Sequence, residues 1–77
     1  MHATVYLQES EYIALCDLIK LAGLAESGGQ AKALIADGRV LRNGTVETRK
    51  TAKIRGGEVI ELDGAVLEVE NGDDPES

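Results

Sequence analysis

The chain has 77 residues, about half the length of a typical domain, which leaves no room for a separate catalytic domain. Nine Leu, five Ile and six Val exceed what a disordered chain carries, so the sequence should fold around a small core that hides only about 60% of its unfolded surface. One cysteine, Cys16, and one histidine, His2, exclude an internal disulfide and a structural zinc site, and two tyrosines without Phe or Trp argue against modules that read single strands by stacking bases on rings.

Net charge is −6, from 8 Lys and Arg against 14 Asp and Glu, but the signs are segregated. All eight basic residues, Lys20, Lys32, Arg39, Arg42, Arg49, Lys50, Lys53 and Arg55, lie in a stretch that carries +5 while the remainder carries −11. Two readings are open: an electropositive face able to release counterions from a polyanion, or a solvated loop that keeps the protein soluble. From Glu58 onward there are eight Asp and Glu and no basic residue, so any contact with nucleic acid must be one-faced. No apolar run approaches the roughly 18 residues of a membrane span. The first residues have neither the basic nor the apolar region of a secretory leader, so a cytoplasmic protein without a membrane partner is expected.

In chain order, Thr4 to Leu7 is β-prone and predicts a first strand or extended arm, followed by a polar stretch, Gln8 to Glu11, that can start a helix. Tyr12, Leu15, Leu18, Ile19 and Ala22 fall at helical spacing before Gly23, which predicts a helix over about 10–22. Cys16 borders this stripe, and with no His nearby in sequence it reads as a small buried hydrophobe rather than a nucleophile. A second helix is predicted over 27–37: Ser27 is its cap, Gln30 completes a capping-box pattern, and Ala31, Leu34, Ile35 and Gly38 share its inner face. Gly28 and Gly29 cost helix stability, roughly 1 kcal/mol each relative to Ala. Close packing against the first helix is the favoured reason for them, and a bare anion site at the helix N-terminus the other.

Asn43-Gly44 predicts a tight hairpin with Val40 inward and the arginines exposed. Residues 48–57 are too polar for a buried strand and should form a connection that displays Arg49, Lys50, Lys53 and Arg55, with Ile54 as an inward anchor. Alternation around Asp63-Gly64 predicts a second hairpin over 58–70. The last seven residues contain no apolar side chain and are expected to be a disordered acidic tail over 71–77 behind a single domain over 1–70. The expected fold class is α+β, two short packed helices followed by two β-hairpins that form a small sheet. Its core should include Leu15, Leu18, Ile19, Leu34, Ile35, Val40 and Ile54.

This order of elements, with the string Gly23-Leu24-Ala25-Glu26-Ser27-Gly28-Gly29-Gln30 through Asn43-Gly44, resembles the RNA-binding domain named after the fourth small-subunit ribosomal protein, with its αL-type motif. The resemblance covers about residues 12–62. It includes Leu18 and the Gly23 turn, Ser27, Gln30, Ala31, Leu34, Ile35 and Gly38 in the second helix, Val40, Asn43 and Gly44 in the hairpin, and Lys53, Ile54, Gly57 and Glu58 in the closing pattern. The small size, Glu47-Thr48-Arg49-Lys50 and Cys16-Asp17-Leu18 are similar to the bacterial YbcJ-like branch. Where many members carry an arginine directly after the serine matched by Ser27, this chain has Gly28, which shifts the expected phosphate contacts from the helix to the hairpin.

The resemblance implies a small RNA-binding protein that holds structured RNA, ribosomal or transfer RNA, through phosphate contacts and shape. The expected RNA-binding residues are Lys20, Ser27, Lys32, Arg39, Arg42, Asn43, Arg49, Lys50, Lys53 and Arg55, with most weight on Arg42, Arg49, Lys50 and Lys53. The ribosome is a further expected partner, and a monomer the expected state. The competing expectation is a protein-interaction adapter on the ribosome or an RNA-modifying enzyme. No Ser/His/Asp or Cys/His set is present, so neither catalytic residues nor cofactor are expected.

Overall fold

The computed structural model describes residues 1–76. It contains β1 (His2–Tyr6), β2 (Ile13–Ala14), α1 (Leu15–Leu21), α2 (Gly28–Ala36), β3 (Val40–Arg42), β4 (Thr45–Val46), β5 (Lys53–Ile54), β6 (Val59–Leu62) and β7 (Ala65–Glu70). Five strands form one sheet in the order β1-β7-β6-β3-β4. The two hairpins are antiparallel, with Leu41 opposite Val46 and Ile60 opposite Leu67, and β3 joins them by pairing Leu41 with Glu61. Strand β1 closes the far edge in parallel with β7, His2 opposite Val66 and Tyr6 opposite Glu70. The α+β class and the paired hairpins agree with the sequence.

Both hairpin turns arise as the dipeptides require. Asn43 and Gly44 have φ of 51° and 85°, Asp63 and Gly64 of 48° and 87°, the paired left-handed residues of a tight turn whose twist matches its strands. Alternation then decides which side chains point inward: Ile60 and Leu62 on β6, and Ala65, Leu67 and Val69 on β7, are buried. Ile60, Leu62, Leu67 and Val69 join Leu15, Leu18 and Ile19 of α1, Ala31 and Ile35 of α2, Val40 and Ile54 in one cluster. Six of the seven expected core residues are fully buried. Leu34 only packs partly against the cluster, because Ala31 and Ile35 carry the centre of the inner face of α2.

The first helix is shorter than its periodicity suggests. It spans Leu15–Leu21 because the polar stretch before it makes a turn, in which Ser10 N–H donates to the Leu7 carbonyl at 3.1 Å, and because Ile13–Ala14 runs extended against Lys53–Ile54. The N–H groups of Leu15 and Cys16 donate to the Ala52 and Lys50 carbonyls at 2.9 and 3.1 Å, so carbonyls of the basic loop replace a side-chain cap. At the other end, Gly23 N–H reaches Lys20 O and Leu24 N–H reaches Ile19 O, the double closure of a left-handed C-terminus. Cys16 is buried, as its place beside the apolar stripe implied.

The second helix begins as expected. Ser27 Oγ accepts from Gln30 N–H at 3.1 Å, while the Gln30 side chain reaches back to Glu26 N–H at 2.6 Å, one residue beyond the usual partner of a capping box. The packing reason for the two glycines does not hold. A Cβ at Gly28 would meet nothing within 4 Å, and one at Gly29 only Ser27 Oγ at 3.9 Å. The segment 48–57 is not a plain connection either, since its Lys53–Ile54 strand seats Ile54 in the core. Beyond β7 the chain stays attached for two residues, where Gln8 N–H donates to Gly72 O at 2.7 Å. Ser77, the last residue of the expected tail, lies outside the described residues.

Candidate nucleic-acid interface

The basic stretch is organised by two carboxylates. Glu47 follows β4, its N–H bonded to the Val40 carbonyl at 3.0 Å, and at 9% exposure it is the one buried charged residue among those described. Burying a carboxylate is costly unless it is paired, and here two guanidinium groups meet it. Arg49 donates Nε and Nη2 at 3.0 and 2.9 Å, its own N–H at 3.3 Å, and Arg42 donates Nη1 at 3.1 Å. The Arg49 hydrogen bonds hold the Glu47 carboxyl down at about 2, against the opposing effect of burial.

Arg42 also forks onto Glu58, Nε to Oε1 at 2.6 Å and Nη2 to Oε2 at 3.0 Å, and its Nη2 reaches the Lys53 carbonyl at 2.9 Å. Glu58 accepts in addition from Arg55 N–H at 2.7 Å and Asn43 Nδ2 at 3.2 Å, while Asn43 Oδ1 accepts from Val59 N–H at 2.9 Å. The fork from Arg42 lowers the Glu58 pKa and raises that of Arg42, and Glu47 raises that of Arg49. The first hairpin turn is thereby tied to the turn that precedes β6.

This arrangement corrects the picture of Arg42 as an exposed arginine. Its side chain retains 23% exposure, because the inward-facing carboxylates of Glu47 and Glu58 bind it along three of its nitrogens. Asn43 likewise spends its amide on the turn. Arg49 is anchored through Glu47 yet remains 73% exposed. Lys50 is exposed, and its carbonyl helps to hold the start of α1. Lys53 Nζ and Arg55 Cζ stand 5.0 and 5.8 Å from the centre of the Tyr12 ring. Together Arg42, Arg49, Thr51, Ala52 and Lys53 line an open groove of about 480 Å³.

Other expected site residues are not part of that groove. Arg39 pairs with Asp63 at the second hairpin turn, Lys20 lies exposed in the last turn of α1, Lys32 lies exposed on α2, and Ser27 uses its Oγ as the helix cap. Sequence reasoning missed the two acids as organisers. Glu47 stands two residues before Arg49, a spacing that could have suggested a local pair, but the link from Arg42 to Glu58 spans 16 positions and has no local sign.

Helices, mixed sheet and the basic hairpin loop together define a member of the S4 domain family, and the chain belongs to it: the family model matches residues 5–70. Among relatives, it is 46% identical over 67 residues to YbcJ of Escherichia coli strain K12, a candidate RNA-binding protein, covering 87% of this chain and 96% of the relative. It is 36% identical over 56 residues to RlbA of Bacillus subtilis strain 168, a candidate ribosome maturation protein, covering 73% and 79%. The solution structure of E. coli YbcJ, described as having an αL motif involved in RNA-binding, superimposes with a TM-score of 0.69 at 45% identity, over 87% of this chain and 85% of that one.

Proposed function

We propose that this chain is a small, non-catalytic, cytoplasmic RNA-binding protein that acts as a monomer and holds structured RNA, ribosomal or transfer RNA, through its basic groove. The observation that carries this reading is the groove itself: Arg49 is pinned by a buried acid with most of its side chain in solvent, and Lys53 shares the same concavity. Fixed guanidinium groups lose little freedom on meeting phosphate, and they recognise its position rather than the identity of a base. The candidate function of YbcJ supports RNA as the ligand, and that of RlbA points toward ribosomal RNA and ribosome assembly.

One observation favours a protein-docking role. Arg42, Arg49, Glu47 and Glu58 neutralise one another in sum, so the groove attracts a polyanion less than the sequence count implies. Titration with ribosomal and transfer RNA fragments at two salt concentrations separates the readings. RNA binding gives affinity that falls steeply with salt; no binding even at low salt overturns it in favour of the adapter.

A further inference from the structure

The chain has two tyrosines and neither Phe nor Trp, and both tyrosines line one depression of about 320 Å³. Tyr6 comes from the end of β1 and Tyr12 from the segment before β2, with Leu7 and Leu21 beside them and Gln8 and Ser10 as polar groups. Tyr12 is 41% exposed and Leu21 68%, two large side chains left in water along the same depression. Lys53 and Arg55 reach the Tyr12 ring from β5 and the residue after it. Neither side chain has a carboxylate partner among the described residues, and Lys53 also lines the basic groove. Lys53 thus links the two: it lines the groove, and its Nζ stands over the Tyr12 ring that lines the depression.

We propose that this depression seats a single unpaired nucleobase of a structured RNA against Tyr12, while Lys53 and Arg55 turn from the ring to the flanking phosphates. This rests on the RNA-binding reading and names the feature of the RNA that it selects. The volume lies at the low end of ligand clefts, about 300 to 1,000 Å³, which suits one base and not a row of them. Cation–ring contacts at exposed sites are weak enough to exchange for phosphate, and the two positive charges make a nucleotide a better occupant than an apolar peptide. Gln8 and Ser10 supply groups that can meet a base edge.

The test uses a hairpin RNA with one bulged nucleotide, its abasic counterpart with the same phosphates, and the whole protein as wild type, Tyr12→Phe and Tyr12→Leu. Wild type and Tyr12→Phe should bind the bulged RNA about 5- to 150-fold more tightly than the abasic one, the span expected for stacking one base on a ring. Tyr12→Leu should lose that preference and keep the salt slope. Equal binding of wild-type protein to bulged and abasic RNA overturns the proposal while leaving RNA binding intact. Absence of all RNA binding at low salt overturns both, and loss of a protein ligand by Tyr12→Leu with unchanged RNA binding assigns the depression to protein docking instead.

Discussion

Arg42 and Lys50 differ in what each can give to a polyanion. Arg42 would have to break its fork onto Glu58 to reach outward, whereas Lys50 has an exposed chain free of ion pairs among the described residues. Lys50→Ala should therefore lower the log–log salt slope of RNA binding by about one unit and leave stability within about 0.5 kcal/mol of wild type. Arg42→Ala should show the reverse emphasis, with destabilisation of roughly 1 to 3 kcal/mol from the buried acceptors left behind, measured by urea unfolding. Glu47 sets the acid limit. Its carboxyl is held at about 2 against its ordinary 4.5, so its ionised form favours the folded state. That contribution is complete above about pH 4.5 and is lost as pH falls toward 2. Glu47→Gln should accordingly flatten the decline in stability across that interval, which acid titration followed by circular dichroism would read.

At the scale of elements, the local signals and the distant ones separate clearly. Asn43-Gly44, Asp63-Gly64, Gly23 and Ser27 with Gln30 each act within a few residues, and each element end they imply is present. The start of α1 was not legible, because it depends on Ala52 and Lys50 carbonyls more than thirty positions away, and because Ile13–Ala14 was drawn into a strand by Lys53–Ile54. The same holds for the candidate site: the cluster of cations could be read from their density, but the acids that fix Arg42 could not. Within α2, Ile35→Ala should cost roughly 2 to 5 kcal/mol and half-buried Leu34→Ala clearly less, an order that thermal unfolding would establish. Gly28 offers the opposite case. Its backbone has open space for a side chain, so Gly28→Ala should raise stability by about 0.4 to 1 kcal/mol, and a concurrent loss of RNA affinity would show that bare backbone there serves binding.

For the molecule as a whole, charge segregation becomes spatial. The second hairpin carries Glu61, Glu68 and Glu70 on β6 and β7, next in the sheet to β3, whose Arg42 lines the basic groove. Replacing Glu68 or Glu70 by Gln should leave RNA affinity unchanged or raise it slightly, with the gain disappearing above the roughly 0.1 M salt that screens charges beyond 10 Å. Any loss of affinity would place RNA on the acidic hairpin.

The parallel pairing of β1 with β7 also fixes how the protein answers to force. Because the two strands run the same way, pulling the N-terminal end of β1 against the C-terminal end of β7 drives them past each other along their length, and every rung from His2–Val66 to Tyr6–Glu70 resists at once. Drawing apart the antiparallel strands β6 and β7 from their open end would instead unzip them one rung at a time. An optical-trap experiment with handles at the two chain ends should thus record abrupt rupture at higher force than one with handles at Val59 and Glu70.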